Sequence, residues 1–189
     1  MTFFIRNSIN LDISYKCTLE CLGCSRHFQK KKGMSVKGHH MTDQEYEVIL
    51  NHFDRIKFCG NISDPTMHPR FIQFLEKSKN KDVLVATATT HRSYDWYINA
   101  FKANKNAIWV FGMDGLPDYS PFYRVNQDGD KMWKIMKLAK EHNMNAIWQF
   151  LIFNYNRHQV CEARDMAKSI DIEIDLIQAK RIDGDSVVS

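Results

Sequence analysis

Six short apolar runs alternate with amphipathic stripes along almost the whole of this 189-residue chain, and that alternation restricts the fold more than any other feature. Ile9, Leu11 and Ile13 alternate as a strand does, and runs at 56–59, 83–87, 108–111, 146–153 and 172–177 follow. Gly60 ends the second run and Asp114-Gly115 turns the fourth. Between them lie helical stripes. Thr42-Asp-Gln-Glu45 reads as a capping box ahead of Tyr46, Ile49, Leu50 and Phe53. Pro69 suits a helix first turn before Phe71, Ile72 and Leu75, and 93–103 buries Trp96, Ala100 and Phe101. Met132, Ile135, Met136 and Ala139 make the next stripe, and Val160, Ala163, Ala167 and Ile170 the last. Strand–helix–strand repetition demands parallel strands joined by right-handed crossovers. Six units cannot close an eight-stranded barrel, so an α/β fold is expected: an open, curved partial barrel, helices outside, in one domain over 1–189. Ligands in such folds sit at the C-terminal strand ends. The segments there are the loop after the first strand, 60–65, Thr89-Thr90, 112–115 and 149–156.

The loop after the first strand carries Cys17, Cys21 and Cys24 within eight residues. Three thiolates on one short loop can face a single centre, and a cubane iron–sulfur cluster so held keeps one iron open for chemistry. His27 offers two rivals: a Cys3His zinc site, or a fourth ligand that closes the cluster into an electron carrier. A non-enzymatic module of that kind would bind nucleic acid or another anionic partner through Lys30, Lys31 and Lys32. Cys59 and Cys161, alone within apolar patterns, read as small buried hydrophobes.

Composition sets outer bounds. At 44% hydrophobic residues the chain is globular. The opening Met-Thr-Phe-Phe-Ile-Arg has no basic leader with a long apolar core, and no run approaches 18 apolar residues. No signal peptide and no membrane span are therefore expected, and clustered free thiols then point to the cytoplasm. The net charge of +4 is uneven: Arg26, Lys30, Lys31, Lys32 and Lys37 stand in a stretch without acidic residues. The stretch is either a solvated loop or an electropositive lip for an anionic partner. With Phe28 as its one aromatic it is no stacking platform, so nucleic acid is not indicated.

Cys-x3-Cys-x2-Cys after the first strand resembles the signature of the radical S-adenosylmethionine (SAM) superfamily, and the likeness extends over nearly the whole chain. It implies a (β/α)6 partial TIM barrel, a [4Fe-4S] cluster on Cys17, Cys21 and Cys24, and SAM as cofactor at its open iron. Ser63-Asp64-Pro65 is similar to the Gly-Glu-Pro motif that helps bind the methionine amino group; Asp64 is one methylene shorter. Asp114-Gly115-Leu116 with Tyr123-Arg124, and Trp148-Gln149-Phe150 with Asn154 and Asn156, resemble segments of the peptide-modifying SPASM or maturase-like branch. The resemblance makes Arg124 the candidate for the SAM carboxylate, Asp64 for its amino group and Gly23 for a backbone adenine contact; Ser63, Thr89, Asp114 and Gln149 complete the implied cofactor-binding set. On the residues alone, Asp64-Pro65 is also an ordinary turn opener and Arg124 an ordinary surface cation. Gly112 stands where the family often has serine, and no cysteine follows Cys161 to hold an auxiliary cluster. The resemblance further implies a flavodoxin or ferredoxin as external reductant and a peptide or protein side chain as substrate; the basic stretch offers a nucleotide or small anionic molecule as the second class.

Overall fold

The computed structural model describes residues 7–179, so the leader reading on residues 1–6 lies outside the described residues. The strands are β1 (Ser8–Leu11), β2 (Arg55–Phe58), β3 (Asp82–Thr87), β4 (Ile108–Gly112), β5 (Asn145–Ile152) and β6 (Glu173–Gln178). The α-helices are α1 (Ser25–Lys31), α2 (Asp43–His52), α3 (Phe71–Lys77), α4 (Tyr94–Ala103), α5 (Gly129–Glu141) and α6 (Val160–Ser169). All five strand pairings are parallel and the sheet order is the chain order, β1 to β6. When every right-handed crossover steps the same way, the helices fall on one face of the sheet and leave the other free. This is the half-barrel that six repeats predict.

Strand alternation divides the two faces. Val83, Val85, Trp109, Phe111, Trp148 and Phe150 are buried in the core that the helices cover. Phe71, Tyr97, Met132, Ile135 and Ala163 meet them from the helices. The alternate positions Ala86, Val110, Gln149 and Leu151 line a cavity on the free face. The capping box at Thr42 and Glu45 forms as read, and Ser93 caps α4.

Several local expectations change. α1 sits inside the stretch read as a basic loop; it buries no residue, so no apolar stripe announced it. Its Lys30 pairs with Glu20 at 2.7 Å, so part of the basic lip is neutralised by the cysteine loop itself. Pro69 lies outside α3; the first-turn role falls to Pro65, in the 3-10 turn Pro65–Met67. In α4 it is Tyr97, rather than Trp96, that is fully buried beside Phe101. Cys161 is exposed, not buried. It lies two residues from the buried Ala163, roughly 200° around the helix. Among the described residues no helix is long and apolar enough to cross a membrane.

Candidate active site

The three loop thiols line one cavity of about 430 Å³ at the C-terminal ends of the strands, within the size range of small-molecule sites. Backbone hydrogen bonds tie their loop to both sides of the mouth. Asp64 N–H donates to Lys16 O at 3.0 Å, joining it to the segment after β2. Glu20 N–H donates to Val125 O at 3.0 Å and Leu22 N–H to Tyr123 O at 3.1 Å, joining it to the segment after β4. Arg26 adds a bond from Nη1 to Tyr15 O at 2.6 Å. Residues far apart in sequence are thus locked around one opening.

Burial is the leading influence on the thiols. It pushes Cys17 up to about 12, with the Asp64 carboxylate adding to the effect. Cys21 is also raised by burial, against the pull of Arg124. Cys17 and Cys21 therefore hold their protons in the metal-free fold, and a metal centre must displace them. Among the described residues no three His, Cys, Asp or Glu groups gather tightly enough for a single ion. The cysteines ring a volume instead. His27 is not on its wall.

Asp64, 4% exposed, accepts five hydrogen bonds. They come from Thr66 N–H and Oγ1–H, Thr87 Oγ1–H, Ala88 N–H and Thr89 N–H. A shorter side chain than glutamate keeps the carboxylate against the end of β3, where it staples two loops together. Asp12 does the same on the other side, accepting from Asn61 N–H at 3.1 Å and Ser63 Oγ–H at 2.8 Å. Gly60 is required in that turn: a Cβ there would lie 1.6 Å from Ser63 O.

Arg124 is no surface cation. Its side chain is 14% exposed, and its Nε stands 2.7 Å from Oδ2 of Asp114, which is fully buried. The contact is close but poorly aligned, and neither atom has a hydrogen-bond partner. The other Asp114 oxygen accepts from Leu151 N–H at 2.9 Å. Burial pushes the Asp114 carboxyl up while Arg124 pulls it down. Burial is the largest influence and opposes the guanidinium charge, but Asp114, Cys21 and Tyr123 together outweigh it and push Arg124 up. Gly112 explains itself here, since a Cβ would sit 2.7 Å from Arg124 Nη2. Serine at that position would push the guanidinium aside.

Of the expected residues, Cys17, Cys21, Cys24, Ser63, Asp64, Arg124 and Gln149 share the cavity wall. Gly23, Thr89 and Asp114 do not. Thr89 lies behind Asp64, bonded to Thr66 Oγ1 at 2.8 Å, and Asp114 lies behind Arg124. Both support wall residues because their side chains occupy the covered side of the strand ends. Cys59, read as a core thiol, lines the cavity. Alternation was the signal: Ile56 and Phe58 face the helices, so residue 59 faces the other way.

No protein-family model and no curated protein matches this sequence. Solved structures do match in fold. A structure of anSMEcpe with AdoMet bound aligns at TM-score 0.69 and 18% identity, over 90% of this chain and 50% of that one. Streptococcus suis SuiB bound to S-adenosylmethionine aligns at TM-score 0.75 and 14% identity, over 97% of this chain and 44% of that one. Methylornithine synthase (PylB) aligns at TM-score 0.66 and 14% identity, over 93% and 55%. These neighbours are radical SAM enzymes. The chain spans about half the length of the structures it matches. At such identity the likeness is one of fold: this chain shares the α/β partial-barrel architecture of these neighbours.

Proposed function

We propose that this chain is a radical SAM enzyme that removes a hydrogen atom from a substrate. The observation that carries the reading is the meeting of Cys17, Cys21 and Cys24 with Arg124 on one cavity wall. The donor set fits the group: three thiols around a volume, and a buried guanidinium whose Nε has no aligned acceptor. Cys17, Cys21 and Cys24 would hold three irons of a [4Fe-4S] cluster as thiolates. Bound beside it and supplied with one electron, SAM would supply the carbon-radical chemistry that takes hydrogen from a substrate. Arg124 would orient the SAM carboxylate with its planar fork, Asp114 behind it holding the charge in place. Gln149 and the 60–63 segment would complete the ligand wall, with Asp12 and Asp64 fixing that segment. Small wall residues, Ala86 and Ala88, leave room for a substrate.

A flavodoxin or ferredoxin in the cytoplasm would supply the electron, consistent with five free cysteines. SuiB has been solved bound to the precursor peptide SuiA, which favours a peptide or protein side chain as substrate. A small anionic molecule, drawn by Lys31 and Lys32, is the other class. The test is anaerobic reconstitution. About four irons per chain are expected. They should be lost when Cys17, Cys21 and Cys24 become alanine and kept in His27→Ala. Dithionite and SAM should then yield 5′-deoxyadenosine. Stoichiometric zinc without iron uptake, or no deoxyadenosine from the iron-loaded chain, refutes the proposal.

A further inference from the structure

The cavity holds a fourth thiol that the proposed chemistry leaves idle. Cys59 follows β2 directly and lines the same cavity as the cysteine loop. Its depth follows from the register. Phe58 pairs with Leu11 and Val85, and Val85 with Trp109, so the next residues, Asp12, Cys59, Ala86 and Val110, form one layer across the free face. Gly112 and Gln149, themselves paired, stand one layer nearer the mouth. Cys59 therefore lies on the floor beneath the ligand wall, between Asp12 on one side and the methyl of Ala86 on the other.

Cys59 comes from the end of β2, outside the loop that carries the metal set. Cys17 feels Cys21 electrostatically and Cys21 feels Cys24, whereas Cys59 feels Asp12 and Lys57. Burial and the Asp12 carboxylate push the Cys59 thiol up, so at neutral pH the sulfur carries its hydrogen. Asp12 is fixed in that place by Asn61 N–H and Ser63 Oγ–H. A protonated thiol on the floor of a cavity that generates carbon radicals has a definite chemistry. An S–H bond is weaker than an unactivated C–H bond, so transfer to an unstabilised carbon radical runs downhill.

Resting on the proposed function, we propose that Cys59 is the hydrogen-atom donor of this cavity, returning hydrogen to a carbon radical so that the substrate leaves at its starting oxidation level. The Cys59 S–H bond breaks homolytically, a C–H bond forms at the radical carbon, and the sulfur keeps the unpaired electron. One electron from the reductant that feeds the site and one proton from water restore the thiol.

The experiment uses the reconstituted chain with SAM and dithionite in deuterium oxide, where the Cys59 thiol carries deuterium. Without substrate, the radical formed in the cavity takes its hydrogen from the wall, and mass spectrometry reads deuterium in 5′-deoxyadenosine. The label should appear with the parent chain, persist in Cys161→Ser, and be lost in Cys59→Ser and Cys59→Ala with iron content unchanged. Serine keeps the shape, but its O–H bond is too strong to give up hydrogen. A second readout needs no turnover: SAM should slow alkylation of Cys59 by iodoacetamide, followed by peptide mass spectrometry. Label retained in Cys59→Ser, or alkylation indifferent to SAM, overturns the inference alone. No deoxyadenosine from the iron-loaded parent overturns the proposed function and this inference with it.

Discussion

Replacing Arg124 with methionine tests the buried pair that backs the cavity. The substitution keeps most of the stem and removes the charge beside Asp114, which is fully buried. Asp114 would retain one hydrogen bond, from Leu151 N–H to Oδ1. Breaking a buried ion pair by removing one partner costs about 3–5 kcal/mol. Set against a total stability of about 5–15 kcal/mol, that is a large share. With a urea dependence of about 2–3 kcal/mol per molar, the unfolding midpoint should fall by about 1–2 M. The pH dependence gives the sharper signature. The folded-state pKa of Asp114 is already raised, and losing Arg124 raises it further. A carboxyl raised in the fold costs nothing below its unfolded value near 4, costs progressively more as pH rises from there towards its folded value, and levels off above it. The deficit of Arg124→Met relative to the parent should therefore shrink in acid. Urea unfolding of the metal-free chain, followed by tryptophan fluorescence at about pH 5 and about pH 8, reads this directly. Asp114→Asn and the double variant complete a cycle, in which the double should recover about 1–3 kcal/mol of the summed loss. Equal deficits at both pH values with additive single effects would refute a charged pair.

Three further outcomes follow from the wall itself. Asp64→Ala removes the acceptor of three backbone N–H groups, at about 1–3 kcal/mol each, so the chain should lose several kcal/mol before any ligand is added; parent-like unfolding in urea would exclude the staple. Gly60→Ala forces a Cβ to within 1.6 Å of Ser63 O and should cost about 1–3 kcal/mol, seen as a melting point lower by about 2–10 °C. An unchanged melting point would mean that the turn yields freely. Because burial raises Cys17 to about 12, its thiol stays protonated in the fold while the unfolded thiol ionises near 8.5. The metal-free chain should then lose about 2 kcal/mol between about pH 7 and about pH 10, and iron uptake, which needs thiolates, should strengthen over the same range. Flat stability across that window would show that Cys17 is not desolvated.

Sequence periodicity carried most of the architecture, for a local reason. Strand and helix periods are set by residues two to four positions apart, so the stripes at Met132, Ile135 and Met136 and the run at 146–153 were legible directly. The cysteine spacing was legible in the same way, since one short loop confines its three thiols. α1 escaped because it packs no apolar face, and periodicity speaks only where burial selects residues. What the cavity contains depended on the third dimension. Ser63, Arg124 and Gln149 come from three different strand ends, and they share a wall because the sheet curves them onto one rim. The Asp114–Arg124 pair, the clearance that Gly112 leaves for it and the five donors on Asp64 all arise between loops that no local pattern links. Cys59 lies between the two regimes. Its parity in the strand placed it on the free face, but only closure of the half-barrel made that face a cavity shared with the cysteine loop. Local spacing decides which way a side chain points, and long-range packing decides what it then meets.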